Sequence, residues 1–163
     1  MKTNIIALAA LITGLSFANA AEKIKAPNGG RIIDSVEPHA EFLITADKKI
    51  EIRFLDDAGK VVAPAAQVVT VTMGDRANPT KLAFAKDGDK LVSDKTIPDG
   101  KELPVVVQIK TAPDAKSATA KFSLNLAKCS SCEHAEYACT CAHGGDEKGH
   151  EGHDHKPGEK HDH

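Results

Sequence analysis

Hydrophobic and polar residues alternate along much of the chain between residues 22 and 128. The segment Lys49–Phe54 alternates charged with apolar residues, as a strand with one buried face does. The same period of two recurs in further segments: Val69–Met73, Leu82–Phe84, Val105–Ile109 and Phe122–Leu126. We therefore expect seven to nine short strands in this region, with no helix between them.

Turn-forming residues separate these segments at intervals of about 8–12 residues. Asp56–Gly59, Asp87–Asp89 and Pro98–Gly100 combine glycine, which accepts positive φ, with aspartate, which bonds to nearby backbone N–H groups. This spacing predicts an all-β fold, namely an antiparallel immunoglobulin-like sandwich formed by residues 21–128.

The first 20 residues have the pattern of a secretory signal peptide. Lys2 precedes the apolar run Ile5–Phe17, and Ala18-Asn19-Ala20 matches an A-x-A cleavage site. The apolar run is shorter than the roughly 20 residues that a membrane-spanning helix needs. We therefore predict export, cleavage after Ala20, no membrane insertion after cleavage, and a periplasmic or secreted mature protein.

The composition of the chain changes abruptly at residue 129. Residues 129–163 hold seven of the eight histidines, all four cysteines, and eight acidic against three basic residues. The net charge of the whole chain is only −2, which does not indicate a nucleic-acid partner. The motifs of nucleophile elbows, zinc proteases and phosphate-binding loops do not occur, so we predict that the protein is not an enzyme.

The segment 129–143 is a cysteine cluster. A C-x-x-C motif is followed, after six residues, by a C-x-C motif, and two histidines lie among them. Two such pairs can supply a four-coordinate transition-metal site, and thiolates favour Zn(II) or Cu(I). The candidate ligands are Cys129, Cys132, Cys139 and Cys141, with His134 and His143 as alternates.

The same cysteines are also compatible with disulfides, because an exported protein enters an oxidising compartment. Four cysteines allow three pairings, and the sequence does not choose among them. A ring closed between Cys139 and Cys141 would be strained, which favours pairings between the two motifs. A redox carrier is a further hypothesis, and it would require an exposed thiol of low pKa.

Residues 144–163 contain no apolar residue able to anchor them, so we expect a largely disordered His-rich tail. Histidines beside acidic residues are typical of loose metal binding, since imidazole suits Zn(II), Ni(II) and Cu(II). The candidate ligands in this tail are His150, His153, His155, His161 and His163. Outside the tail, His39 alternates with Glu41 and is an additional candidate metal ligand.

Three short runs in the β region resemble a known family. They are Pro27-Asn28-Gly29-Gly30-Arg31-Ile32-Ile33, Pro38-His39-Ala40-Glu41-Phe42 and the run from Phe54 to Pro64. Across about residues 26–126 the chain resembles a small β domain of periplasmic adaptor proteins of heavy-metal efflux systems and of related stand-alone exported proteins. Asn28 stands where that pattern has a histidine. The resemblance implies a metal-handling context.

Together these features predict an exported soluble protein that binds Zn, Cu or Ni outside the cytoplasm, for sequestration, buffering or delivery. The cysteine cluster would be the tighter site and the distal histidines a loose collector. The β domain would dock on a partner such as a metal efflux or uptake complex. The alternative is an interaction module without a metal role, in which disulfides cap the β-sandwich.

Overall fold

The computed structural model describes residues 24–141, which form an all-β protein of nine strands, all paired antiparallel. The strands are β1 (Arg31–Ile33), β2 (His39–Ile44), β3 (Ile50–Leu55), β4 (Val61–Val62), β5 (Val68–Met73), β6 (Thr80–Asp87), β7 (Lys90–Ser93), β8 (Glu102–Lys110) and β9 (Ala118–Asn125). A 3-10 turn, Glu136–Ala138, follows them. The predicted all-β antiparallel class is thereby confirmed. The predictions for the signal peptide, His143 and the tail 144–163 lie outside the described residues.

The strands follow one continuous path, in the order β1-β2-β3-β7-β6-β5-β8-β9, with β4 paired to β3. Strand β6 joins two sheets: its first half, Thr80–Ala83, pairs with β5, and its second half, Phe84–Asp87, pairs with β7. A strand that changes sheets in this way lets both sheets cover one core. Strands β1 and β9 consequently lie at the two ends of the path. Within residues 24–141 no helix has the length and apolar character needed to cross a membrane.

Residues from both sheets form one hydrophobic core. Those with at most 1% exposure include Phe42, Ile52, Phe54, Val71, Met73, Leu82, Val107, Ile109 and Leu124. The alternation in β5 is observed as predicted, because Val69, Val71 and Met73 point inward. The Phe42 ring packs edge-on against Phe122, with ring centroids 5.2 Å apart.

Strand β3 differs from the prediction of one exposed face. Glu51 is only 9% exposed, and its carboxylate contacts Arg53 Nη2 and Lys90 Nζ, each at 2.6 Å. Burial alone would raise the pKa of Glu51, but the two cations hold it below its ordinary value. Lys90 belongs to β7, directly opposite Arg53 in the register. Lys90 of the neighbouring strand β7 thus helps to shield Glu51 from solvent. The alternation of residues within β3 does not predict this contact.

The buried carboxylate of Glu41 organises the loop that precedes β1. Glu41 is 0% exposed, and its Oε1 accepts hydrogen bonds from the backbone N–H groups of Asn28 and Gly30, each at 2.9 Å. Its Oε2 accepts a bond from Asn28 Nδ2 at 2.8 Å. A Cβ on Gly30 would collide with the Phe42 carbonyl oxygen, so only glycine allows this close approach to β2. Asn28 thus acts here as a structural donor to Glu41.

We expect Glu41→Gln to lower the free energy of unfolding by about 2–3 kcal/mol, since the bonds from Asn28 and Gly30 would no longer go to a charged carboxylate. The measurement is the urea unfolding midpoint of the metal-free protein. Glu102→Gln on the exposed start of β8 serves as the control and should change stability by less than about 0.5 kcal/mol. Equal effects of the two substitutions would contradict the role assigned to Glu41.

Candidate metal centre

The cysteine cluster begins with a tight loop directly after β9. Lys128 and Ala135 form an antiparallel bridge, and two backbone bonds of 2.9 Å flank it: Cys129 N–H to the His134 carbonyl, and Glu136 N–H to the Ala127 carbonyl. The loop contains the C-x-x-C motif, with Cys129 at its base. The 3-10 turn then reverses the chain and returns the C-x-C motif to the first pair.

The four cysteine sulfurs converge on a common point. All four Sγ atoms, of Cys129, Cys132, Cys139 and Cys141, lie within 4.8 Å of one another. None of these four cysteines is joined to another by a disulfide bond in the structure. Cys139 Sγ is 3.3 Å from Cys129 Sγ and 3.6 Å from Cys132 Sγ. Since four Zn–S bonds of 2.3 Å in a tetrahedron place the sulfurs about 3.8 Å apart, this set has the dimensions of a four-thiolate site.

Backbone N–H groups also point at two of the sulfurs. Ser131 N–H donates to Cys129 Sγ, and Cys141 N–H donates to Cys139 Sγ, each at 3.3 Å. Such bonds favour the thiolate form, which is the form that binds metals. Cys129 is buried, whereas the other three cysteines are half-buried. Two of the sulfurs thus accept backbone hydrogen bonds, and three of the four cysteines are partly exposed.

The crowding of the sulfurs opposes their ionisation when no cation is present. The Cys141 N–H lowers the pKa of Cys139, but burial and the neighbouring thiols outweigh it and raise that pKa to about 12. The bond from Cys139 likewise lowers the pKa of Cys141, but the proximity of Cys132 and burial leave it raised. A bound cation would offset this repulsion, so metal uptake would release protons.

The two described histidine candidates lie apart from the sulfurs. His134 is exposed and sits beside Gly29, where a Cβ would come within 3.4 Å of His134 Nδ1. The group of converging ligand atoms contains the four sulfurs and does not include this ring. His134 as an alternate ligand therefore stays a prediction.

His39 belongs to a different group at the start of β2. Its ligand nitrogen and the carboxylates of Glu37 and Asp57 lie within 4.8 Å of one another. Its Nδ1 is 3.1 Å from the Val36 carbonyl oxygen, and its Nε2 is 3.6 Å from Glu37 Oε2. Both carboxylates are exposed, and an ordinary surface ion pair has the same arrangement. The role of His39 as a ligand also stays a prediction.

Tyr137 lies two residues before Cys139, and no sequence pattern predicted that it would pack beside the cluster. It is 5% exposed, and its ring packs edge-on against Phe42 with centroids 6.0 Å apart. Its hydroxyl accepts a bond from Ile44 N–H at 3.1 Å, and its carbonyl accepts one from Arg31 Nη1 at 3.0 Å. Burial raises the pKa of Tyr137, which keeps the hydroxyl neutral. The one aromatic residue of the cysteine segment, between Glu136 and Ala138, was the available signal.

Comparison with known proteins identifies no relative: no family model, no curated protein and no solved structure matches the chain.

Proposed function

We propose that this protein is an exported transition-metal-binding protein whose main site is the four-cysteine cluster, with Zn(II) or Cu(I) as the bound ion. The observation that carries the proposal is the convergence of four sulfurs from two motifs within 4.8 Å of one another. Thiolate sulfur selects soft and borderline ions, and a four-sulfur set of this size suits a tetrahedral ion.

The position of Cys139 supports metal ligation over two fixed disulfides. Its sulfur approaches those of both Cys129 and Cys132, and one sulfur forms only one disulfide. Around a shared ion, by contrast, each sulfur has three near neighbours. The two backbone N–H groups aimed at sulfur add to this support, because they stabilise negative charge there.

The role that fits such a site outside the cytoplasm is sequestration, buffering or delivery of the ion. In this proposal the tail histidines collect ions loosely, and the cysteines hold one ion more tightly. The β domain would dock on a partner such as a metal efflux or uptake complex, in keeping with the family resemblance of residues 26–126.

The test is metal analysis of the anaerobically purified, untagged protein beside a titration of its thiols. We expect about one Zn(II) or Cu(I) per chain that survives desalting, with four thiols recovered after the metal is stripped. Replacing all four cysteines by serine should abolish this tightly held ion. Deleting residues 144–163 should lower the total metal uptake and leave the tightly held ion in place.

The interaction-module alternative makes the opposite prediction. If no metal binds even after loading and no thiols are titrated, the cysteines are disulfides and the metal proposal is wrong. The β domain would then be the functional part, and a search for its protein partner would replace metal analysis.

A further inference from the structure

The 3-10 turn of the cysteine cluster packs against both end strands of the path, β1 and β9. The chain leaves β9 at Asn125 and passes through the cluster, and Tyr137 then inserts beside β1 and β2. Arg31, the first residue of β1, pairs with Phe42 of β2. Ile44 is two residues further along β2, so its N–H lies beyond the N-terminal end of β1. The Tyr137 hydroxyl accepts that edge N–H in place of a strand.

A second contact connects the same turn to β9. Arg31 Nη1 donates to the Tyr137 carbonyl, while the Arg31 guanidinium lies 4.8 Å above the centre of the Phe122 ring on β9. Phe42 packs edge-on against both Phe122 and Tyr137. The rings of Phe42, Phe122 and Tyr137, together with Arg31, therefore connect β1, β2, β9 and the turn. Tyr137 itself lies only two residues before Cys139 and five after Cys132.

We infer that metal binding at the cysteines and docking of Tyr137 into the core are coupled, with Tyr137 as the positioning residue for the metal site. This inference rests on the proposed function. Tyr137 fixes the backbone between the C-x-x-C and C-x-C motifs, so a docked turn holds the sulfurs together before the ion arrives. A chain with an undocked turn must order both motifs during binding, which lowers affinity.

Thermodynamic linkage makes this coupling reciprocal. If docking raises the affinity of the site for Zn(II) by some factor, Zn(II) raises the docking equilibrium by the same factor. Couplings of this kind usually amount to about 5- to 150-fold. The bound ion would thus stabilise the β domain itself, by holding the turn against β1 and β9.

The experiment compares three forms of the full chain under reducing, anaerobic conditions: wild type, Tyr137→Ala, and Leu82→Ala as a matched core control. Leu82 is 1% exposed, and it lies on β6 in the middle of the path rather than beside the turn. Affinity is measured by competing Zn(II) against a chelator, and Co(II) absorption from sulfur ligation reports that the cysteines bind. Thermal unfolding is recorded with and without Zn(II).

We expect Tyr137→Ala to weaken Zn(II) binding at least tenfold and to reduce the rise in unfolding midpoint that Zn(II) produces. Leu82→Ala should lower the midpoint of the metal-free protein and keep the wild-type affinity. Equal affinities for wild type and Tyr137→Ala would overturn the coupling and leave the proposed function standing. A wild type that binds neither Zn(II) nor Co(II) through sulfur would overturn both.

A measurement on the wild type alone covers the case in which Tyr137→Ala does not fold. Because the Ile44 N–H bonds to the Tyr137 hydroxyl, its hydrogen exchange reports undocking of the turn. In the metal-free protein Ile44 should exchange faster than Val71 in the central strand β5, which reports global unfolding, and Zn(II) should slow exchange at Ile44 at least tenfold. A change smaller than twofold at Ile44 would overturn the inference.

Discussion

Replacing Cys139 by serine is expected to weaken Zn(II) binding about a hundred- to a thousandfold. Structural zinc sites of four ligands bind with about 10–16 kcal/mol, so one ligand accounts for roughly 3–4 kcal/mol. Cys139 should show the full effect, because its sulfur lies 3.3 Å and 3.6 Å from the two sulfurs of the C-x-x-C motif. The measurement is Zn(II) competition with a chelator at fixed pH under reducing conditions.

Thr140→Ser is the control for this substitution, since Thr140 is exposed and lies between the two cysteines of the C-x-C motif. It should leave the affinity within about twofold of wild type. Retention of wild-type affinity by Cys139→Ser would show that Cys139 is not a ligand, and the ion would then have to be held by the other three sulfurs and a group from elsewhere.

Phe42→Ala is expected to lower the free energy of unfolding by about 3–5 kcal/mol. Phe42 is completely buried, and it makes two edge-on aromatic contacts, each adding about 0.5–1.5 kcal/mol to the area that it buries. Its loss would leave a cavity where β2, β9 and the Tyr137 turn meet. Denaturant unfolding of the metal-free protein measures this loss without any contribution from the bound ion.

Phe84→Ala provides a comparison on the same residue type. Phe84 lies on β6, where it is only partly buried against the core. Its removal should cost less than half as much as removal of Phe42. If Phe42→Ala lost less than about 1.5 kcal/mol, the packing of the core around this ring would have been assigned wrongly.

The class of the fold could be predicted from the sequence because it depends on local period. The alternation at Val69, Val71 and Met73 marks a strand whichever strand lies beside it. The order of strands could not be predicted, since pairing partners such as β3 and β7 are separated in sequence and are chosen by the whole core. The burial of Glu41 and Glu51 could not be predicted either. The partners of Glu41 lie in a loop, and Lys90, a partner of Glu51, lies on another strand.

The candidate ligands of the metal site could also be read from the sequence, whereas their arrangement could not. The spacing of the C-x-x-C and C-x-C motifs indicates either sulfur ligands or disulfides. Tyr137 was not predicted to be part of the site, because a single aromatic residue gives no periodic signal. Its partners Ile44 and Arg31 lie far away in sequence, and only the folded chain brings them to the turn.

The distance in sequence between Tyr137 and these partners also sets the order in which the molecule can be completed. Tyr137 is 106 residues from Arg31 and 93 from Ile44, whereas β2 and β3 are joined by a short turn and can pair as soon as both exist. Contacts that close long loops form late, and a chain is synthesised from its N-terminus. Strands β1 and β2 are synthesised early, but the contact that covers the edge of β2 at Ile44 forms only after Tyr137 has been made. A chain that ends before Tyr137 therefore lacks this contact.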